Sequence, residues 1–272
     1  MALFAGDSGG EGRGGGRRHR NWLVVPVEGI IGAGKSTMLD NLRAVVAETP
    51  GPRRYLPVVV PEPLDEVADI RLQFYADPAR YGYTFQTAIF VARVQIFRRL
   101  LRKALADPNI DEDTTVVFLQ DRSSLSDVLF VDNLHLSGAM SPLEYATFRS
   151  SWYDFWLDIL FGELNAGPDV IVYLRTPLAD CMARIAKRAR EGEATLPESY
   201  QVALQQRHDD RYLGDLVHVT DRASVPCICT TDPDIGISKP KLTALWTRIL
   251  DIITGGRDYI DRASLSPQVC VW

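Results

Sequence analysis

The sequence predicts an α/β fold, a five-stranded parallel sheet flanked by helices. Three observations predict it. Short β-branched or apolar runs alternate with longer stretches of helical spacing. A glycine loop follows the first apolar run directly. Charged residues stand just after the second and third runs, where ligands of parallel sheets gather.

The elements follow in chain order. Leu23–Val27 reads as the first buried strand, with Trp22 before it. Gly29-x4-Gly34-Lys35-Ser36 then matches the phosphate-binding loop pattern G-x-x-x-x-G-K-[ST] at every fixed position. Glycines there let backbone N–H groups turn towards phosphate oxygens, and a helix N-terminus adds partial positive charge. The helix Lys35–Ala47 supplies that terminus. Lys35 is placed to reach the outer phosphates, and the Ser36 hydroxyl to hold Mg²⁺. Pro57–Val60 reads as the second strand and runs into Pro61-Glu62-Pro63. Pro63 restricts Glu62 to extended geometry, which fixes the direction of a carboxylate that can accept a proton. The plainer alternative is a solvated loop glutamate.

Phe85–Ala106 has helical spacing, and Tyr81-Gly82-Tyr83-Thr84-Phe85-Gln86 opens it. Gln86 and Arg93 are seven apart and share a face. Gln86 can read a base edge and Phe85 can stack on a base, although a core Phe85 and a cap-region Gln86 explain the residues equally simply. Thr115–Leu119 reads as the third strand and runs into Gln120-Asp121-Arg122-Ser123. A carboxylate there can organise a metal, and Arg122 can hold charge near a transferring phosphoryl group. Leu143–Leu164 reads as a helix in which Trp152, Phe155, Trp156 and Ile159 form a core stripe. Val170–Leu174 and Val225–Cys229 complete the expected sheet. Leu178–Arg190 and Lys239–Ile253 are the remaining helices. Arg184 and Arg188 lie four apart on one helical face, either an ordinary solvated face or a cationic cover for phosphates.

Length and composition narrow the function. At 272 residues with 46% hydrophobic residues the chain suits one large domain. We assign residues 21–255 to it, 1–20 to a disordered Gly/Arg-rich tail and 256–272 to a C-terminal tail. The net charge of −5 gives no global basic field for a nucleic acid. No apolar run approaches the roughly 18 residues of a membrane span. Cys181, Cys227, Cys229 and Cys270 lack zinc-ligand spacing, which fits a reducing, cytoplasmic compartment. A mitochondrial transit peptide is opposed by Asp7, Glu11 and the glycines of the first twenty residues.

The segments EGIIGAGKST, PEP, FYADPARYGYTFQT, DRSSLSDVLF, VIVYLRT, RIAKRAR and LPESY, in this order, resemble the deoxynucleoside kinase family. The resemblance spans roughly Trp22 to Ser238. It implies a P-loop nucleoside kinase fold and ATP-dependent phosphorylation of a deoxynucleoside 5′-hydroxyl in nucleotide salvage. It implies Glu62 as general base and Arg122 as support for the hydroxyl and the incoming phosphoryl group. Lys35, with Gly29, Gly32, Ala33, Gly34, Ser36 and Thr37, would cradle the phosphates of ATP, and Ser36 and Asp121 would organise Mg²⁺. Tyr75 and Glu193 match the residues that hold the sugar 3′-hydroxyl. Gln86 would pair with the base and Phe85 would line its cleft. Arg184, Arg188 and Arg190 would form the lid, and Asp232 falls near the segment around the ATP base.

Within the resemblance, the pair Arg93 and Asp127 occurs in kinases preferring deoxycytidine or purine deoxynucleosides. Thymidine-preferring members carry smaller, less polar residues there. Three positions depart from the family pattern. Ile30 stands for a frequent asparagine, Asp121 for the glutamate of the animal enzymes, and Val67 for a tryptophan near sugar and base. The resemblance also implies a homodimer, with Phe85–Ala106 and Leu143–Leu164 as candidate interface helices. Two alternatives share these motifs. A thymidylate or other nucleoside monophosphate kinase would carry a glycine pair after Glu62-Pro63, which is missing. A non-catalytic structural subunit would have lost parts of the loop or lid, whereas Lys35, Ser36, Glu62 and Arg122 are all present.

Overall fold

Strand β1, Trp22–Glu28, is apolar on both faces and buried along its last five residues. A strand of that kind needs neighbours on both edges and layers on both faces. In the computed structural model, which describes residues 21–159, 167–193, 196–213, 216–220 and 223–255, β1 has all of these. It pairs in parallel with β3 (Thr114–Asp121) on one edge and β4 (Ile171–Leu174) on the other. Strand β2 (Arg54–Val60) lies outside β3, and β6 (Ala223–Thr230) outside β4, both parallel. The described residues form a six-stranded sheet in the order β2-β3-β1-β4-β6-β5.

The sixth strand corrects the expected count of five. Strand β5, Leu216–Thr220, forms an antiparallel edge with β6. Its LVHVT run alternates, as a strand with one covered face does, but it is only five residues long and adjoins a helix. The two expected tails, 1–20 and 256–272, lie outside the described residues.

Helices cover both faces. Helix α1 (Lys35–Ala47) follows the glycine loop, with Gly34 as its N-cap in the left-handed region. Helix α2 spans Ala68–Ala76 and α3 spans Pro78–Leu105. Helix α3 starts seven residues before the expected Phe85. The Asp77 side chain accepts from the Arg80 N–H and Pro78 occupies the first turn, both start signals. Helix α4 (Ser124–Leu136) is capped by the Ser123 hydroxyl. The expected helix Leu143–Leu164 is segmented into α5 (Pro142–Thr147), a π-helical stretch Phe148–Asp154 and α6 (Phe155–Asp158). Its last residues lie outside the described chain. The core stripe is corrected at Phe155, which is 56% exposed, while Trp156 packs on the core. The wider π turn rotates the helical face out of the 3.6-residue register.

Helix α7 (Leu178–Arg188) ends where Ala189 adopts positive φ, so Arg190 lies beyond it. Helices α8 (Glu198–Tyr212) and α9 (Lys239–Gly255) finish the layers. The α1/α9 side is anchored by Trp246, 2% exposed. Its indole N–H donates to the Thr49 hydroxyl at 2.8 Å and its ring meets Tyr55 edge-on. Removing such a side chain costs about 3–5 kcal/mol. From β1 the chain moves one way to β2 and β3 and the other way to β4 and β6. The crevice at that reversal opens over the carboxyl end of β1, where the glycine loop begins.

Candidate active site

A cavity of about 780 Å³ opens over that end of the sheet. The glycine loop forms one wall. Gly32 has φ +84°, and a Cβ there would lie 2.5 Å from the Cys181 carbonyl, so the loop can pass α7 only with glycine. Lys35 is 6% exposed, and its Nζ donates to the carbonyls of Gly29 (3.4 Å) and Ile30 (3.3 Å). Burial, and then the nearby Arg122, lower its ammonium to about 8. Buried Ala33 contributes its carbonyl, which accepts from Thr176 Oγ1 and from Arg184 Nη1, both at 2.8 Å. Ser36 and Thr37 face the cavity.

The Ser36 hydroxyl donates to Asp121 Oδ2 at 2.7 Å. The other carboxylate oxygen, Oδ1, is buried without a hydrogen-bond partner and lies 3.9 Å from Lys35 Nζ. An orphaned carboxylate oxygen beside a hydroxyl suits a hard, oxygen-seeking cation such as Mg²⁺. Among the described residues no cluster of three or more His, Cys, Asp or Glu could hold a metal. A cation here would therefore take its other ligands from phosphate and water.

The opposite wall is a buried charge network built at strand ends. The turn after β2 is tightened by the Leu64 N–H donating to the Glu62 carbonyl at 2.8 Å, across Pro63. Glu62 Oε1 accepts from Arg122 Nε at 3.2 Å and lies 4.0 Å from Arg93 Nη2. Burial alone would raise the Glu62 carboxyl, but Arg122, Lys35 and Arg93 outweigh it and hold it below its ordinary value. It is a carboxylate at neutral pH, ready to take a proton. Arg122 has φ +65°, an uncommon conformation for a residue with a Cβ and one that clusters at functional sites. Its guanidinium lies 4.8 Å over the Phe130 ring.

Arg93 and Asp127 close the inner end. Arg93 Nε donates to both oxygens of Asp127 (3.3 and 3.1 Å), and its Nη1 donates to the Asp121 carbonyl at 3.0 Å. Burial, only partly offset by Arg93, pushes the Asp127 carboxyl up to about 6. Gln86 (2% exposed) and Phe85 line the same end. The Phe85 ring stacks on Phe74 at 4.7 Å, so Phe85 serves core and cavity together.

The lid side is more open. Arg184, Arg188 and Arg190 line the cavity. Arg188 Nη2 donates to Glu193 Oε2 at 2.6 Å and Arg190 Nη1 to Glu193 Oε1 at 3.3 Å. Tyr75 sits beside them. A Cβ on Gly192, which has φ +84°, would fall 2.3 Å from the Tyr75 ring, so only glycine lets the lid approach that ring. Burial, and then Glu193, raise the Tyr75 hydroxyl to about 12.

Nearly all the sequence-selected residues therefore meet in one cavity. The exceptions are Gly29 and Ala33, which shape the loop from behind, and Asp232. The Asp232 carboxylate accepts from Lys241 Nζ at 2.7 Å and does not line the cavity. Val67 is buried in the core around Phe74 and Phe85 rather than lining the cavity, and Ile30 is buried under the loop. Glu28 joins the site as a residue with no role assigned from the sequence. It is fully buried at the end of β1 and accepts from the Ser123 N–H (2.8 Å) and hydroxyl (2.6 Å), tying the glycine-loop strand to the Asp121–Arg122 turn. Burial raises its carboxyl despite those two bonds. Its place directly before the glycine loop was the available signal. Tyr200 and Phe130 also line the cavity; they close the segments LPESY and DRSSLSDVLF, which gave them no individual role.

The model of the deoxynucleoside kinase family matches residues 25–234. The chain belongs to the deoxynucleoside kinase family. Among relatives, mitochondrial thymidine kinase 2 of Homo sapiens is 29% identical over 194 residues, 69% of this chain and 63% of that protein. Deoxycytidine kinase 1 of Xenopus laevis is 29% identical over 206 residues, 68% of this chain and 72% of that protein. The chain thus spans just under two thirds of the human thymidine kinase. A solved deoxyadenosine kinase of M. mycoides, with products dCMP and a flexible dCDP bound, superposes with TM-score 0.59 at 20% identity. It covers 84% of this chain and 99% of that one. That likeness shows the shared deoxynucleoside kinase fold, a mostly parallel sheet between helices.

Proposed function

We propose that this member of the deoxynucleoside kinase family transfers the γ-phosphoryl group of ATP to the 5′-hydroxyl of a deoxynucleoside. The observation that carries the reading is Glu62: a carboxylate kept ionised by Arg122 and facing a phosphate-binding loop across one cavity. Glu62 accepts the proton of the 5′-hydroxyl as the new O–P bond forms. The bond from the γ-phosphorus to the β,γ-bridging oxygen breaks, and ADP leaves. Lys35 and the loop N–H groups hold the phosphates, and Arg184, Arg188 and Arg190 exclude water around them. Mg²⁺ held by Ser36 and Asp121 would neutralise developing phosphate charge. Arg122 keeps a positive charge beside the reacting oxygen. Tyr75 and Glu193 hold the sugar 3′-hydroxyl.

We read the substrate range as deoxycytidine and purine deoxynucleosides. The support is the fixed Arg93–Asp127 pair beside Gln86, which offers donors and acceptors to an exocyclic amine or carbonyl. The test is phosphorylation of deoxycytidine, deoxyadenosine, deoxyguanosine, thymidine and thymidine monophosphate with Mg·ATP, singly and in competition. Turnover of the first three over thymidine is the expected result. Preference for thymidine would sink the base argument and leave the kinase reading intact. Turnover of the monophosphate alone would make the chain a nucleoside monophosphate kinase. No turnover of any of them, with ATP still bound, would favour a non-catalytic subunit.

The same reading includes a homodimer. Leu136, Leu143 and Phe155 are 67%, 78% and 56% exposed at the end of α4, the start of α5 and the start of α6. It also includes a cytoplasmic compartment, to which the lack of zinc-ligand spacing among the four cysteines points.

A further inference from the structure

Arg122 does its work on a guanidinium whose orientation must survive the reaction. Before substrate arrives, Glu62 holds the Nε edge at 3.2 Å. Once Glu62 engages the 5′-hydroxyl and takes its proton, that edge loses its anionic partner. Whatever keeps the guanidinium plane in place during transfer must act from elsewhere. Phe130 covers one face of it at 4.8 Å. The other contact comes from α8, outside the cavity: His208 Nε2 lies 3.5 Å from Arg122 Nη1.

We propose that His208 is a positioning residue for Arg122, presenting the Nε2 lone pair of a fixed imidazole tautomer to the guanidinium. His208 Nδ1 lies 2.8 Å from the Leu204 carbonyl, one turn back on its own helix. A carbonyl only accepts, so Nδ1 carries the proton and Nε2 is left as an acceptor. An arginine N–H only donates, so the tautomer set by the helix is the one Arg122 needs. The ring is enclosed. Its residue is 0% exposed, and Phe130 (centroids 6.1 Å, interplanar 89°), Tyr173 (6.1 Å, 26°) and Tyr212 (5.8 Å, 52°) pack around it. Burial, and then the positive charge of Arg122, depress the imidazolium to about 3, so the ring stays neutral wherever the protein is folded and active. Phe130 touches both partners, which ties the imidazole and the guanidinium into one packed unit. A lone helical histidine would ordinarily be taken as core. This one is core that also points a single lone pair at a cation of the reaction centre.

The inference rests on the role assigned to Arg122 above, and its test separates the two. His208→Phe keeps the ring and removes the acceptor. His208→Gln keeps an acceptor oxygen near the Nε2 position. With Mg·ATP and the best deoxynucleoside, His208→Phe is expected to lower kcat about tenfold, the scale of one hydrogen bond to a charged group, with both KM values within about twofold. His208→Gln is expected to recover most of that loss. Equal losses in both variants, or an unchanged kcat in His208→Phe, would overturn the proposal. If His208→Phe does not fold, His208→Leu gives the acceptor-free measurement with the same two outcomes. Arg122→Lys is assayed alongside. An undamaged Arg122→Lys would remove the role of Arg122 and this inference with it. A damaged Arg122→Lys beside an undamaged His208→Phe would remove the inference alone.

Discussion

The two walls of the cavity hold their charges in different ways. On the acceptor wall, Arg93, Arg122 and Asp127 are each 2–6% exposed; Arg93 bonds to Asp127 and to the Asp121 carbonyl, and Arg122 bonds to Glu62. On the lid wall, the Arg188 and Arg190 side chains are 39% and 34% exposed, and both pair with the single buried carboxylate of Glu193. Of the acceptor wall, Glu62 and Arg122 follow the ends of β2 and β3, whose backbones are fixed by the sheet, while Arg93 and Asp127 stand within α3 and α4. The lid wall stands on the end of α7 and the turn after it. Charges that orient a nucleophile need a fixed frame, and charges that close over a leaving phosphate need room to move. The difference teaches that one cavity can combine a rigid half, where errors of geometry cost rate, with an adjustable half, where they cost affinity.

The strongest way to break that contrast is Glu62→Gln. The amide keeps the shape of the side chain but cannot take the proton. We expect kcat to fall by about 10²–10⁴-fold, with nucleoside and ATP binding within a few-fold, read by steady-state kinetics and calorimetry. Near-normal turnover would remove Glu62 from the chemistry, and the acceptor wall would lose its distinction.

The next effect is on stability. Asp127→Ala strands Arg93, whose side chain is 7% exposed. Breaking a buried pair in this way costs about 3–5 kcal/mol. Arg188→Ala removes one of two partners of Glu193 from a side chain that is 39% exposed, and should cost under about 1 kcal/mol. Urea unfolding of the two variants measures the contrast directly. Equal losses would show that the lid is as rigidly held as the acceptor wall.

The same contrast governs what the sequence makes legible. The glycine loop is local: a strand, a loop and a helix in one stretch, so Gly34, Lys35 and Ser36 could be read together. Glu62 and Arg122 are sixty residues apart, and only the rule that sites gather at strand ends brings them together. The sheet does bring them together, at 3.2 Å. The Arg93–Asp127 pair came from family resemblance, since helical spacing says which face Arg93 takes but not what faces it. Glu28 carries no separate signal, because a lone acid inside a motif looks like part of the motif. His208 gave no signal at all, because its partner lies eighty-six positions away. The Asp232 partner is not legible, because a carboxylate in a loop does not announce that a lysine nine residues on will pair with it. The fold failed to be legible where register changes: at the π turn that exposes Phe155, and at β5, where a short alternating run adjoins a helix.

The smallest predicted effect tests whether the loop behaves like the rigid wall or the open one. Burial and Arg122 lower the Lys35 ammonium from 10.5 to about 8. A lowered folded value means that the unfolded chain holds this proton more tightly. Lys35 therefore subtracts stability below pH 8, and the penalty is relieved as pH rises from about 8 towards 10.5. Phosphate reverses the sign, because an anion beside Lys35 favours the ammonium and raises its value again. ADP binding should then take up a proton near pH 8 to 9. Its affinity should weaken by up to about tenfold between pH 8 and pH 9 to 9.5, since one pH unit beyond the free value is worth one factor of ten. Calorimetry of ADP binding in two buffers of different ionisation enthalpy measures the proton uptake. Uptake at pH 8.5 that vanishes at pH 6.5 would show that the ammonium is desolvated before the nucleotide arrives, as the bonds to the Gly29 and Ile30 carbonyls imply. Binding without proton exchange at either pH would mean that the loop wall opens to water when free. Lys35 would then belong with the adjustable half of the cavity rather than the rigid one.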